Sequence, residues 1–266
     1  MVRKYGQSPF NTVVVHGGPG ALGSVACVAR ELSEIMGVVE PLQSEYSIGE
    51  LIEELNKQIK GECDMPVTLI GHSWGAFLSL LYTEHYPAKV KQIVLVGSAP
   101  LIDEYVPLIT ERRLRNLSKE DGELFLNLLA KIDKPDNGNA LRQLAELVDK
   151  SDNYQLIEIG ADKVDSFPVD NVMYARIWEE ARAMRSSGEL MERVKKVNKP
   201  IFIIQGENDP HPLEGVTEPL ELAGVPFKYY VLPQCGHSPF KEKLAVKQFY
   251  SILRSVIEEK HSHGNL

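Results

Sequence analysis

The sequence predicts an α/β fold, in which a mostly parallel sheet of about six strands carries helices on both faces and is interrupted by a helical insertion. Three observations lead to this prediction. Short, wholly apolar runs alternate with helical patterns in the first and last parts of the 266-residue chain, as in parallel sheets covered on both faces. The middle of the chain has no convincing strand pattern. A serine between two glycines, at residues 71–75, joins one predicted strand to the next helix.

The elements follow in order along the chain. The predicted strands are apolar runs that end at glycine, proline or polar clusters, and they cover 12–16, a short strand starting at 38, 67–70, 93–96, 201–204 and 227–232. The predicted helices have apolar residues spaced three and four apart, and they cover 21–36, 48–60, 74–85, 119–131, 139–149, 169–184, 188–197, 212–223 and 240–259.

The helical block sets the predicted domain organisation. Residues 101–197 read almost entirely as helix, and Ser118 followed by Asp121 resembles a capping box. We therefore predict a core made of residues 1–100 and 198–266, with residues 101–197 inserted as a helical cap.

Composition and charge exclude several classes of function. The formal net charge is −8, which disfavours binding to nucleic acid. The uncharged stretches 5–29 and 65–83 are broken by glycine, proline, histidine or serine, so neither reads as a membrane span. Three cysteines without a CxxC pair and no visible signal peptide favour a reducing cytoplasm and disfavour a structural zinc site. We expect a cytoplasmic protein without metal, membrane or nucleic-acid partners; the sequence leaves its oligomeric state open.

The turn at residues 71–75 matches G-x-S-x-G, a pattern that lifts a serine hydroxyl above the sheet. This pattern makes Ser73 the candidate nucleophile. A serine needs a base and a group that orients the base, and Asp209 and His237 each follow a later predicted strand. Asp103, after the strand at 93–96, is a weaker candidate for the acid. Two backbone N–H groups, those of Gly18 and Trp74, are expected to form the oxyanion hole.

These motifs resemble the α/β-hydrolase superfamily, and HGGPG at 16–20 resembles its proline iminopeptidase branch. The resemblance extends over GHSWGA at 71–76, GENDP at 206–210 and CGHSPF at 235–240. It implies that the helical block is a cap domain. It also implies that acidic residues near Trp178, namely Glu179 and Glu180, hold the free amine of a substrate.

A rival interpretation is a nicotinamide-cofactor enzyme. The segment from Gly18 to Gly23 fits G-x-G-x-x-G, and Glu40 lies near the position of a ribose-binding acid. Pro19 disfavours this interpretation because it removes an amide from the phosphate cradle. We therefore expect no cofactor.

The predicted function is hydrolysis of an ester or amide of a small, partly apolar compound or a short peptide. A proline-iminopeptidase-like aminopeptidase is one alternative, and a ligand receptor with slow turnover is another. Among the remaining histidines, His16 and His72 are expected to orient their loops. The histidines expected at the surface are His211, His261 and His263.

Overall fold

The computed structural model describes residues 1–131, 138–158, 167–168 and 170–259, and its core is a single seven-stranded sheet. The strands are β1 (Val2–Tyr5), β2 (Phe10–Val15), β3 (Gly37–Pro41), β4 (Val67–His72), β5 (Val90–Val96), β6 (Ile201–Gly206) and β7 (Phe227–Leu232). Their order in the sheet is β1-β3-β2-β4-β5-β6-β7, and every neighbouring pair except β1 and β3 is parallel. The predicted α/β architecture is confirmed.

The additional strand β1 accounts for the difference between the seven observed strands and the six predicted. It pairs antiparallel with β3, so that Val2 lies opposite Pro41 and Tyr5 opposite Val38. Its four residues mix charged and apolar side chains and lie at the sheet edge. A run this short has too few positions to show a period of two, and its pairing depends on β3 rather than on its own composition.

Helices cover both faces of the sheet because successive strand residues point to opposite sides. Val13 and Val15 pack in one apolar cluster and Val14 in the other. The helices are α1 (Ala26–Leu32), α2 (Ile48–Glu62), α3 (Trp74–His85), α4 (Val106–Asn116), α5 (Lys119–Leu129), α6 (Gly138–Asp152), α7 (Asn171–Ser186), α8 (Glu189–Val194), α9 (Glu214–Leu222) and α10 (Val246–Glu258). The first cluster includes residues of α2, α3, α7, α8 and α9, and the second includes residues of α1 and α10.

The helices of residues 101–197, predicted as one cap, pack as two groups. Helices α4 to α6 surround a small apolar cluster of their own, whereas α7 and α8 bury Ile177, Ala181 and Leu190 in the cluster on the sheet. The apolar spacing of α7 suits either environment, so the sequence could not distinguish them. The predicted capping box is present, since the Asp121 N–H donates to Ser118 Oγ at 3.1 Å. Among the described helices, none has the length and apolar character needed to cross a membrane.

Candidate active site

The turn that carries Ser73 is determined by backbone geometry. Ser73 lies between β4 and α3 with φ +53° and ψ −115°, a conformation that non-glycine residues rarely adopt. A side chain at Gly71 would overlap the carbonyl of Gly75, and one at Gly75 would overlap the carbonyl of Val15. The two glycines therefore let strand, turn and helix approach closely enough to lift the serine. The Ser73 N–H donates to the carbonyl of Val96 at 2.9 Å, which ties the turn to the end of β5.

Asp209 and His237 form a buried pair at the carboxyl ends of the parallel strands, where Ser73 also lies. Asp209 follows β6 and His237 follows β7. The Nδ1 of His237 lies 2.9 Å from Oδ2 and 3.1 Å from Oδ1 of Asp209. Because an ionised carboxylate only accepts hydrogen bonds, the proton in this contact belongs to Nδ1. This tautomer leaves Nε2 of His237 unprotonated and able to accept a proton.

The environment separates the pKa values of this pair. Burial raises the pKa of Asp209, but the charges and hydrogen bonds of His237 and His211 outweigh it and hold that pKa well below its ordinary value. Burial lowers the pKa of His237, but the charge and hydrogen bond of Asp209 outweigh it and raise the pKa above the ordinary 6.5. An ionised acid beside a basic imidazole is the arrangement that a general base requires.

Ser73 and His237 both lie beside the end of β5. A side chain at Gly97, the residue after β5, would lie 2.7 Å from the carbonyl oxygen of His237 and 3.0 Å from its Nδ1. His72, beside Ser73 in the chain, places its Nε2 3.1 Å from the same carbonyl oxygen. The predicted nucleophile, acid and base therefore follow β4, β6 and β7, at the carboxyl ends of these parallel strands.

The loop after β2 lies against the serine turn. A side chain at Gly17 would come within 3.5 Å of the Cβ of Ser73. Gly18 has φ +99°, so this position favours glycine. Trp74 is the first residue of α3, where backbone N–H groups have no partner within the helix. His16 helps to hold this loop in place, since its Nδ1 lies 2.8 Å from the carbonyl oxygen of Gly17.

His211 was predicted at the surface, and that prediction is wrong. Its side chain is buried beside Asp209, with Nδ1 2.9 Å from Oδ1 of the carboxylate, and its ring stacks on that of His237 with centroids 4.2 Å apart. The sequence signal was its place two residues after the candidate acid. His261 and His263 lie outside the described residues.

The α4–α6 group reaches this site through a partly buried ion pair. The Nε of Arg113 on α4 donates to Oδ1 of Asp152 at 2.7 Å, and Nη2 donates to Oδ2 at 2.6 Å. The backbone carbonyl of Asp152 accepts the N–H of His237 at 2.7 Å. This contact joins residues distant in sequence, and no local pattern indicated it.

Glu242 forms a second connection to the histidine loop. Its fully buried carboxylate accepts the N–H of Tyr154 and the N–H of Gln155 at 2.6 Å each, and the N–H of Gly236 at 2.9 Å. The segment after α6 is thereby fastened to the residue just before His237. Glu242 was not identified from the sequence, because an acid between Lys241 and Lys243 resembles a surface residue.

The acids expected to hold a substrate amine lie elsewhere. Glu179 is exposed on α7. Glu180 accepts the N–H of Ile48 at 2.7 Å and so caps the start of α2. The candidate acid Asp103 pairs with Arg185 at 2.6 Å. The structure therefore brings none of these three carboxylates to the Asp209 pair.

Residues that a cofactor or metal would need have other partners. Glu40 is buried and accepts the hydroxyl of Tyr5 at 2.8 Å, so it does not face an open ribose site. In the part of the chain that the structure describes, one group of three potential metal ligands occurs, formed by Asp152, His211 and His237. The Asp152 carboxylate is bound by Arg113, and both imidazoles bind Asp209 through Nδ1. The Asp152 carboxylate and the two Nδ1 atoms thus have partners within the protein, so of this group only the Nε2 atoms of the two rings remain available as ligands.

Comparison with known proteins gives one family. Residues 40–244 match the family described as alpha/beta hydrolase fold. An uncharacterized protein of Nostoc sp. (strain PCC 7120 / SAG 25.82 / UTEX 2576) is 26% identical over 106 residues, a match that covers 39% of this chain and 41% of that protein. The matched part thus spans less than half the length of that relative.

Solved structures resemble the whole chain. The structure of VinJ has a TM-score of 0.67 at 18% identity and covers 97% of this chain and 94% of its own. E-2-(acetamidomethylene)succinate hydrolase gives 0.63 at 18%, with the same coverage of 97% and 94%. The esterase EaEST from Exiguobacterium antarcticum gives 0.61 at 18%, covering 97% and 95%. These likenesses confirm the predicted fold, while the finer resemblance to proline iminopeptidases stays a prediction.

Proposed function

Because this chain belongs to the alpha/beta hydrolase fold family, we propose that it is a serine hydrolase acting on an ester or amide of a small, partly apolar compound. Ser73 is the proposed nucleophile, His237 the general base and Asp209 the residue that orients the base. One observation carries the proposal: Ser73 has φ +53° in a strand-to-helix turn at the sheet edge that also holds the buried Asp209–His237 pair.

In the proposed acylation step, Ser73 Oγ attacks the carbonyl carbon of the substrate while its proton moves to Nε2 of His237. The resulting imidazolium is stabilised by Asp209, which stays ionised. His237 then gives the proton to the leaving alcohol or amine, and the bond to the leaving group breaks. The product of this step is an acyl-enzyme on Ser73.

The proposed oxyanion hole consists of the backbone N–H groups of Gly18 and Trp74. The contact of the Gly17 position with the Cβ of Ser73 supports this assignment, as does the place of Trp74 at the start of α3, where the helix dipole favours negative charge. Removal of one such donor typically costs a factor of about 10² to 10³ in kcat. Water, deprotonated by His237, then releases the acid and restores Ser73.

We propose simple esters as better substrates than prolyl amides. An ammonium group held away from water needs a carboxylate close by, and the two acids expected to supply it are exposed or cap a helix. The esterase and the succinate-derivative hydrolase among the structural neighbours are consistent with small carboxylic substrates. A small-molecule or short-peptide substrate and a cytoplasmic location, the latter supported by three free cysteines, complete the proposal.

The test compares Ser73→Ala with Ser79→Ala on a panel of short nitrophenyl esters and aminoacyl arylamides with free and blocked amines. Ser79 is a matched control because it lies on α3 and its hydroxyl only donates to the carbonyl of Gly75. Ser73→Ala is expected to stay folded and lose on the order of 10⁶ in kcat, while Ser79→Ala keeps its activity. A fluorophosphonate probe should label the unaltered protein and the Ser79 variant only. Full turnover by Ser73→Ala would exclude the mechanism.

A further inference from the structure

We infer that His211 is a positioning residue, which shares the Asp209 carboxylate with His237 and thereby sets both the orientation and the basicity of that imidazole. This inference rests on the proposed function, in which His237 is the general base. His211 acts through Asp209 and through ring contact, so it needs no contact with the substrate.

The carboxylate of Asp209 is held by four N–H groups. Gln205 Nε2 donates to Oδ2 at 2.7 Å, and His237 Nδ1 donates to the same oxygen at 2.9 Å. The backbone N–H and the Nδ1 of His211 both donate to Oδ1 at 2.9 Å. These contacts fix the plane of the carboxylate, so Oδ2 points at His237 and cannot rotate away.

The two imidazoles also lie nearly face to face. Their centroids are 4.2 Å apart and their planes differ by 25°. Both rings direct Nδ1 at the same carboxylate, so Nε2 of each ring points away from Asp209. His211 thus restricts the tilt of the His237 ring, and the His72 ring also contacts the His237 ring, at a centroid distance of 4.8 Å.

The hydrogen bond from His211 also weakens the pull of Asp209 on His237. Each N–H that a carboxylate accepts stabilises its negative charge, which leaves less of that charge to favour the imidazolium. Removal of the His211 Nδ1–H should therefore make His237 more basic. An overly basic His237 would be protonated, and inactive, over more of the neutral pH range.

The other charged groups around the two rings have fixed partners or are neutral. Arg113 and Asp152 form their own ion pair, and their charges act on His237 in opposite directions. Burial holds the pKa of His72 well below its usual range, and burial together with the charge of His237 lowers the pKa of His211. Lys241 acts on His72 from the histidine loop. His211 is therefore a neutral donor to Asp209, as Gln205 is, and its replacement changes how strongly the Asp209 charge acts on His237.

The experiment uses two substitutions that separate the hydrogen bond from the ring. His211→Phe keeps a flat ring but removes the Nδ1–H, whereas His211→Asn removes the ring but can place an amide N–H near the position of Nδ1. His85→Phe, an exposed histidine at the end of α3, is the matched control. The pKa of His237 is followed by NMR of isotope-labelled histidine in the Ser73→Ala background, which does not depend on turnover.

We expect His211→Phe to raise the pKa of His237 by about one unit, equivalent to a tenfold change in the protonation equilibrium. In the chain with Ser73, the pH at which kcat falls on the acid side of its profile should rise by the same amount, while KM stays constant. His211→Asn should restore the original pKa, and His85→Phe should not change it. If the phenylalanine variant does not fold, His211→Ala, which also lacks the donor, replaces it.

Two results would overturn the inference: an unchanged His237 pKa in the variants without the donor, or equal shifts in these variants and in His211→Asn. Failure of the proposed function looks different, since it appears as retained turnover in Ser73→Ala whatever the histidine pKa values are. The NMR titration and the activity of Ser73→Ala therefore report separately on the two ideas.

Discussion

The two sides of the candidate site are held in place by different means. On the nucleophile side, the contacts that fix Ser73 are made by backbone atoms and by glycines that lack a side chain, Gly71 and Gly75. On the histidine side, buried carboxylates hold the loops together, chiefly Asp209 and Glu242. One side thus depends on the absence of side chains, and the other on their presence.

Each side is therefore sensitive to a different kind of substitution. A turn made of close backbone contacts has no room to adjust, so any added atom disturbs the strand, the helix and the serine together. A carboxylate that accepts several N–H groups can lose part of its bonding while the sheet survives. We expect added side-chain atoms on the nucleophile side to cost the most stability, and changes on the histidine side to cost less stability while lowering activity and local order.

The largest effect is expected for Gly75→Ala. The new methyl group would overlap the carbonyl of Val15 in β2, and overpacking of this kind costs about 3 kcal/mol of unfolding free energy or more. Gly61→Ala is the control, because a side chain there meets nothing within 4 Å and alanine favours the helix. Urea unfolding followed by circular dichroism measures both variants. Equal stability of Gly75→Ala and the unaltered chain would contradict the backbone account of the turn.

A smaller effect is expected for Glu242→Ala. Three backbone N–H groups lose their acceptor, and a buried donor without a partner costs about 1–3 kcal/mol. Partial entry of water should limit the loss to about 2–3 kcal/mol, and kcat should fall because the residue before His237 is released. Glu207→Ala is the control, since this exposed acid makes only a long contact of 3.4 Å with the N–H of Gln234. Unchanged kcat and hydrogen exchange at 154, 155 and 236 would contradict the role of Glu242.

The smallest effect is expected for Glu180→Gln. Like Glu242, this carboxylate accepts a backbone N–H, but it is only partly buried. Loss of the charge at the start of α2 should cost about 0.5–1 kcal/mol. Glu179→Gln, its exposed neighbour, should cost nothing measurable. Neither variant should change the ratio of ester to prolyl-arylamide cleavage. If either variant cleaved prolyl arylamides less well, relative to esters, than the unaltered chain does, the aminopeptidase alternative would regain support.

The nucleophile side was predictable because its determinants are adjacent in the chain. Five residues, from Gly71 to Gly75, contain the spacing that the turn requires, and the strand and helix patterns on either side are long and regular. Asp209 and His237 were also identified, since each follows a strand of the same sheet. Their contact was inferred from topology and not from any local pattern.

The histidine side was only partly predictable because its other members are distant in sequence. Glu242 bonds residues 87 and 88 positions away, and Arg113 reaches Asp152 across 39 positions. A buried ion pair leaves no periodic signature, since each partner taken alone resembles a surface residue. His211 had the same difficulty, because no apolar or spacing pattern around it distinguishes a buried histidine from an exposed one.

The apolar cluster enclosed by α4, α5 and α6 makes that segment a replaceable unit for protein engineering. Its side chains bury one another and not the sheet, whereas α7 and α8 are part of the sheet's own packing. Exchange of this unit between relatives should preserve the sheet, provided that Arg113 and Asp152 are kept, because the N–H of His237 depends on the carbonyl of Asp152. Such chimeras would vary the surroundings of His237 without disturbing the serine turn.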